Sequence, residues 1–126
     1  MKIIEKIIRV EKDLEGEVWV NGQAKFDHSM SVSRIFTDSK KALDFADLED
    51  EDRNVEEFRE DFEIDLRHAD IEAEVESSDA TINEYSIDET PDWMIETILD
   101  DNPHYEVKEM KYEIDGVKAV KKILVE

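Results

Sequence analysis

The sequence predicts an α+β protein in which antiparallel β-hairpins at both ends pack with about three α-helices from a central acidic region. The hairpins are predicted by Asn21-Gly22 and Asp115-Gly116, because each dipeptide separates two strand-like runs and suits a type I′ turn. The helices are predicted by apolar residues that recur at intervals of three and four between the hairpins.

The 126 residues are expected to form one domain with three segments. Residues 1–46 are the expected N-terminal hairpin scaffold, residues 47–101 the acidic helix and strand region, and residues 102–126 the C-terminal hairpin.

The N-terminal scaffold is expected to be built from strands. Glu17–Val20 and Gln23–Phe26 form the first hairpin, and Ser31–Phe36 is expected to add a short strand. Ile3–Val10 is expected to be a neighbouring strand, connected to the hairpin through Asp13–Gly16. The isoleucine spacing in this first run also fits a helix.

Two helices are expected next. Thr37 or Asp38 caps the first, which runs through Leu48. Asn54 and Glu57 resemble a capping box, so the second helix is expected to begin at Asn54. Its apolar residues follow a spacing of three and four, typical of a helix packed on a core; they are Val55, Phe58, Phe62, Leu66 and Ala69.

The pattern then changes to that of a strand. In residues 70–76 apolar and acidic residues alternate, which predicts one apolar and one acidic face. Ser77–Asp79 is expected to be a turn and Ala80–Ile87 a further strand. A third helix is expected to have Pro91 at its first position and to end at Asn102-Pro103.

All of the net negative charge lies in residues 47–101. This segment contains twenty-three acidic and three basic residues, whereas residues 1–46 contain eight of each and residues 102–126 five of each, so it accounts for the whole formal charge of −20. Adaptation to high salt would spread acid over the flanks as well. Acid concentrated in one segment instead favours a cationic partner, and its self-repulsion should be relieved by salt.

The acidic residues also have regular spacing. On the second helix Glu56 and Glu60 lie four apart, which places them about 5–6 Å apart at Cβ. On the acidic strand, residues two apart are separated by about 6.6 Å. Both intervals resemble the distance between successive phosphates of a nucleic-acid strand. We therefore predict a partner-binding surface comprising Asp50, Asp52, Glu56, Glu57, Glu60, Asp61, Ile64, Asp70, Glu72, Glu74 and Glu76.

Two details of this surface have alternative interpretations. Ile64 falls on the acidic side of the helix, either as an apolar anchor in the interface or as a core residue of a sandwiched or shorter helix. Residues 50–61 also suggest a calcium-binding loop, but Val55 stands where that loop requires glycine and Asp61 where it requires glutamate. A helix cap explains Asn54 better, and no metal or cofactor is expected.

The sequence offers no catalytic motif. The histidines His28, His68 and His104 show no metal-ligand spacing, and the chain lacks a glycine-rich phosphate loop. It has no cysteine, and charges at Glu5 and Lys6 interrupt the first apolar run, so neither disulfides nor a signal peptide is expected. An acidic surface is repelled by anionic lipid and by nucleic acid. A non-enzymatic cytoplasmic protein is therefore expected.

The chain is small, acidic, free of cysteine and poor in lysine, and residues 47–101 carry carboxylates at regular intervals. In these features it resembles the nucleic-acid-mimic inhibitors of bacteriophages and mobile elements, which include anti-CRISPR and anti-restriction proteins. The resemblance is one of charge character. It implies a protein that acts in a bacterial host cell and blocks the basic groove of a DNA- or RNA-binding enzyme. Two alternatives remain open: an antitoxin or immunity protein that neutralises a basic partner, and an accessory protein whose acidity serves solubility.

Overall fold

The computed structural model describes residues 2–62 and 69–126, and these residues form an α+β fold, as expected. Its elements are β1 (Ile3–Ile4), β2 (Lys6–Val20), β3 (Ala24–Phe36), α1 (Ser39–Ala46), α2 (Glu51–Phe62), β4 (Ile71–Ser86), α3 (Asp92–Asp101), β5 (Glu106–Ile114) and β6 (Val117–Val125). The strands form two antiparallel sheets, with the orders β1-β6-β5 and β3-β2-β4.

The chain divides into two compact units that interleave along the sequence. Unit 1 comprises Met1–Arg9, Ile35–Ala42 and Ile82–Glu126, and unit 2 comprises Val10–Arg34 and Leu43–Thr81. These boundaries differ from the three segments 1–46, 47–101 and 102–126, and the single domain remains a prediction.

Both predicted hairpin turns are confirmed. Asn21 and Gly22 have φ angles of 52° and 66°, and Asp115 and Gly116 have 51° and 78°, as a type I′ turn requires. Ile114 pairs with Val117 across the second turn, so its loop contains two residues.

The strands are longer than expected. The predicted connection Asp13–Gly16 is wrong, because β2 continues through it, and the predicted turn Ser77–Asp79 is wrong, because β4 continues from Ile71 to Ser86. Gly16 is buried in β2 beside β4, where an added Cβ would lie 1.9 Å from the Glu74 carbonyl oxygen. The glycine that resembled a turn signal permits a close approach of two strands.

The helices begin close to the expected residues. The Asp38 carboxylate accepts a hydrogen bond from the Lys40 backbone N–H at 2.9 Å, which confirms Asp38 as a cap of α1. The second helix begins earlier than expected, since Asp50 caps α2 by accepting from the Arg53 N–H at 3.1 Å. The predicted cap at Asn54 is wrong, because Asn54 lies buried inside α2.

The third helix differs from the prediction by one position. Pro91 is the N-cap of α3 rather than its first helical residue, and Asn102 ends the helix as expected. Among the described residues, no helix has both the length and the apolar character needed to cross a membrane.

Each unit has its own core. In unit 1, apolar side chains from both ends of the chain pack with α3; the buried members are Ile4, Ile7, Ile87, Met94, Ile98 and Leu124. In unit 2, the apolar face of α2 packs on the inner face of the sheet; the buried members are Leu14, Val18, Phe58 and Ile71. The second core positions the acidic helix and the acidic strand.

Candidate functional site

Helix α2 carries a straight row of exposed carboxylates. Asp52, Glu56 and Glu60 are spaced four residues apart and are all exposed, on the side away from buried Phe58. We call these three residues the helix row. Neighbours at this spacing are about 5–6 Å apart at Cβ. None of the three forms an ion pair with a cation in residues 2–62 and 69–126, so their charges face solvent.

Strand β4 carries a second row. Its apolar side chains point into the protein and its acidic side chains point to solvent. The buried or half-buried residues are Ile71, Ala73 and Val75, and the exposed residues, which we call the β4 row, are Glu72, Glu74 and Glu76. The predicted alternation is therefore confirmed. Because alternate residues of a strand point to one face, the three carboxylates form a row with a spacing of about 6.6 Å. Within the described part of the chain, no cation lies within ion-pairing distance of this row.

A cleft lies between α2 and β4, and Glu74 of the β4 row is among its lining residues. The two rows face opposite directions, because the helix row points away from Phe58 and the β4 row points away from Ile71, and Phe58 and Ile71 share one core. The lining residues of the cleft are Leu48, Glu51, Asn54, Val55, Ala73, Glu74, Val75 and Ser78. Glu51 is exposed at the first position of α2 and was missed by the sequence reasoning, which began the helix at Asn54. The signal that would have found it is Asp50, an equally good cap three residues before Arg53.

The helix is fixed to the sheet through a buried lysine. Lys12 of β2 is 0% exposed, although it lies in a row of inward-facing apolar residues. Its ammonium group donates to the Asn54 Oδ1 at 3.0 Å and to the Phe45 carbonyl oxygen at 3.2 Å, and it lies 2.5 Å from the Glu57 Oε2. The Phe45 ring centroid is 4.4 Å from the same ammonium group.

Two of the predicted binding residues are engaged within unit 2. Glu57 is half-buried, and its carboxylate pairs with Lys12 and, at 3.4 Å, with the Arg53 guanidinium. Asp61 is exposed, and its Oδ2 lies 2.9 Å from the His28 Nε2. These carboxylates stabilise the position of α2, so they are less available to a partner than the carboxylates of the helix row.

Two further predicted residues, Asp50 and Asp70, also have structural contacts. Asp50 caps α2 through its side chain. The Asp70 backbone N–H donates to the Asn21 Oδ1 at 2.9 Å, and its carbonyl oxygen accepts from the Asn21 N–H at 2.7 Å. The Asp70 side chain itself is exposed next to the β4 row. Ile64, the predicted anchor, lies outside the described residues.

The pKa of a lysine near the acidic strand is shifted mainly by a carboxylate outside that strand. The pKa of Lys25 is raised, first by its hydrogen bond to Glu17 and, among smaller causes, by the charge of Glu76. The Lys25 Nζ lies 2.8 Å from the Glu17 Oε1. Lys25 is thus bound to Glu17, and the Glu76 carboxylate keeps its access to solvent.

The calcium-loop interpretation is wrong, because residues 51–62 are helical and Asn54 is turned into the protein. No cluster of three or more His, Asp or Glu side chains suited to a metal ion occurs in the described residues.

The fold and the surface define an α+β protein with two carboxylate rows on one unit. No protein-family profile, curated protein or solved structure matches the chain.

Proposed function

We propose that this protein is a non-enzymatic inhibitor that mimics the phosphates of a nucleic acid and occupies the basic groove of a DNA- or RNA-binding enzyme, such as a CRISPR effector or a restriction enzyme. The observation that carries the proposal is the pair of exposed carboxylate rows. Asp52, Glu56 and Glu60 lie on α2, and Glu72, Glu74 and Glu76 lie on β4.

The two rows have the properties that a phosphate mimic needs. Their spacings of about 5–6 Å and about 6.6 Å resemble the interval between successive phosphates. None of the six carboxylates forms an ion pair with a described residue, so they are available to Arg and Lys of a partner. Packing of Phe58 and the Lys12 contacts hold the helix row in place before binding, which reduces the entropy lost on association.

The mechanism is competitive. The acidic field of residues 47–101 attracts a basic groove and accelerates encounter, and each row then pairs with side chains that otherwise hold phosphates. A groove filled in this way is closed to DNA or RNA. Glu57 and Asp61 act in this mechanism by positioning α2.

The test is reversal of charge on the helix row. Glu56→Lys combined with Glu60→Lys should reduce inhibition of a sensitive enzyme by at least tenfold, because two partner contacts become repulsive. The matched control is Glu96→Lys combined with Asp100→Lys, since these residues are also exposed and four apart on a helix, α3. Nuclease activity on a DNA substrate is measured for a panel of CRISPR effectors and restriction enzymes, with circular dichroism to verify folding.

Loss of inhibition in both variants would show that net charge alone acts, and retained inhibition by the folded α2 variant would contradict the proposal. Displacement by excess DNA gives a second readout. A bound target that excess DNA or guide RNA does not displace would indicate the antitoxin or immunity type of interaction instead.

A further inference from the structure

Within residues 2–62 and 69–126, strand β5 of the β1-β6-β5 sheet has a neighbouring strand on one side only. It is the outer strand of that sheet, and eight of its nine residues are exposed, with only Met110 half-buried. Exposed apolar side chains accompany this edge: Ile114 is 60% exposed and Tyr112 is 37% exposed. An edge of nine residues with free backbone groups is a template for another strand.

The turn Asp115-Gly116 determines which backbone groups of β5 point outward. The residues on either side of a type I′ turn, Ile114 and Val117, form a hydrogen-bonded pair. Hydrogen-bonded and non-hydrogen-bonded pairs alternate along an antiparallel ladder. The even-numbered residues of β5 therefore bond to β6, and the N–H and C=O groups of residues 107, 109, 111 and 113 face outward.

The charges along this edge are self-complementary. Consider a two-fold axis that is perpendicular to the sheet and passes beside Met110. This axis places a second copy of β5 antiparallel to the first. Glu109 then faces Lys111 of the second copy, and Lys111 faces its Glu109. Both residues have outward backbone groups, so the two ion pairs coincide with the new hydrogen bonds. All nine residues of β5 are paired in this register.

Other symmetric registers are less favourable. A register centred on Lys108, Glu109 or Lys111 places two identical charges opposite each other at the axis. A register centred on Tyr112 places Glu109 opposite Asp115 of the turn and pairs a shorter stretch of strand. A register centred on Val107 pairs Glu106 with Lys108 but joins only three residues of each strand.

We propose that the protein forms a homodimer through antiparallel pairing of β5 with β5 of a second copy, centred on Met110. Residues 102–126 contain five acidic and five basic residues, so the contact avoids the repulsion of the acidic segment. The pairing also covers part of Tyr112 and Ile114, which lie on the same face as Met110. This inference is independent of the proposed inhibitor function.

A single introduced cysteine tests the register. The chain has no cysteine, so Met110→Cys supplies the only thiol. In a non-hydrogen-bonded pair the opposing Cα atoms lie about 4.5 Å apart, within the range of a disulfide. Mild oxidation should convert most of the Met110→Cys protein to a covalent dimer on a non-reducing gel. The control is Lys108→Cys, because its two thiols would be separated by about four residues, or about 13 Å along the strand, and should stay mostly uncoupled.

Charge exchange tests the ion pairs. Lys111→Glu opposes glutamates at both symmetric positions and should weaken dimerisation roughly tenfold, as measured by sedimentation equilibrium over a concentration series. The combined variant Glu109→Lys with Lys111→Glu should restore the dimer. The matched control Lys108→Glu makes the same charge change on the same strand, but faces Tyr112 of the second copy, and should leave the dimer in place.

A wild-type mass that stays monomeric at every concentration would overturn the proposal. So would a dimer that Lys111→Glu leaves unchanged, or equal crosslinking of the two cysteine variants.

Discussion

Lys12 connects α2 to the sheet. Its ammonium group is fully buried and contacts Glu57, Asn54 and the Phe45 carbonyl oxygen. A buried ion pair adds less stability than an apolar pair of the same volume, but removal of one partner leaves the other charge uncompensated. The cluster therefore specifies how the helix is placed on the sheet.

We expect Lys12→Met to lower the free energy of unfolding by about 3 kcal/mol, because Asn54 and the Phe45 carbonyl oxygen lose their donor and Glu57 keeps only the Arg53 guanidinium at 3.4 Å. Urea unfolding followed by tryptophan fluorescence measures the change. The control is the double variant Lys12→Met with Glu57→Met, which removes both charges and should recover part of the loss. A double variant less stable than Lys12→Met would contradict the uncompensated-charge explanation.

At the scale of the element, the acidic row of β4 depends on a close approach of two backbones. Gly16→Ala would place a Cβ 1.9 Å from the Glu74 carbonyl oxygen, so one strand must move. We expect a loss of about 3 kcal/mol and faster amide hydrogen exchange in residues 72–76. Gly22→Ala is the control, since its Cβ would meet nothing within 4 Å and only its φ of 66° opposes substitution. Unchanged exchange in residues 72–76 of Gly16→Ala would contradict this role.

The sequence identifies elements where local chemistry decides them. The turns at Asn21-Gly22 and Asp115-Gly116 are correct because positive φ angles are a property of those dipeptides. The cap at Asn54 is wrong because the side chain is held by Lys12, forty-two residues away, a contact that no local pattern contains. Gly16 was misread for the same reason, since its role is set by β4.

In the candidate site too, the sequence predicts what depends on neighbouring residues and misses what depends on distant contacts. Residue spacing predicts the helix row and the β4 row, because periodicity determines which side chains share a face of a helix or strand. It does not distinguish Glu56 from Glu57, whose carboxylate pairs with a lysine distant in sequence.

At the scale of the whole molecule, the net charge of −20 acts on folding and on binding in opposite directions. Repulsion among the acids of residues 47–101 destabilises the folded state, and salt screens it; the Debye length falls from about 30 Å at 0.01 M to about 8 Å at 0.15 M. The melting temperature should therefore rise over this range, as measured by circular dichroism, while affinity for a basic partner falls.

The variant Glu56→Lys with Glu60→Lys separates the contribution of the helix row from that of the rest of the molecule. It changes the net charge from −20 to −16 and replaces the repulsion between Asp52 and Glu56 by an attraction, while positions 56 and 60 keep like charges. We expect its melting temperature at low salt to exceed that of the wild type, and its increase with salt to be smaller. These charges would then lower stability while serving binding, as expected of a surface selected for a partner. A wild-type melting temperature that is constant or falls between 0.01 M and 0.15 M salt would contradict this account, because the acidic segment would then carry no repulsion for a cationic groove to relieve.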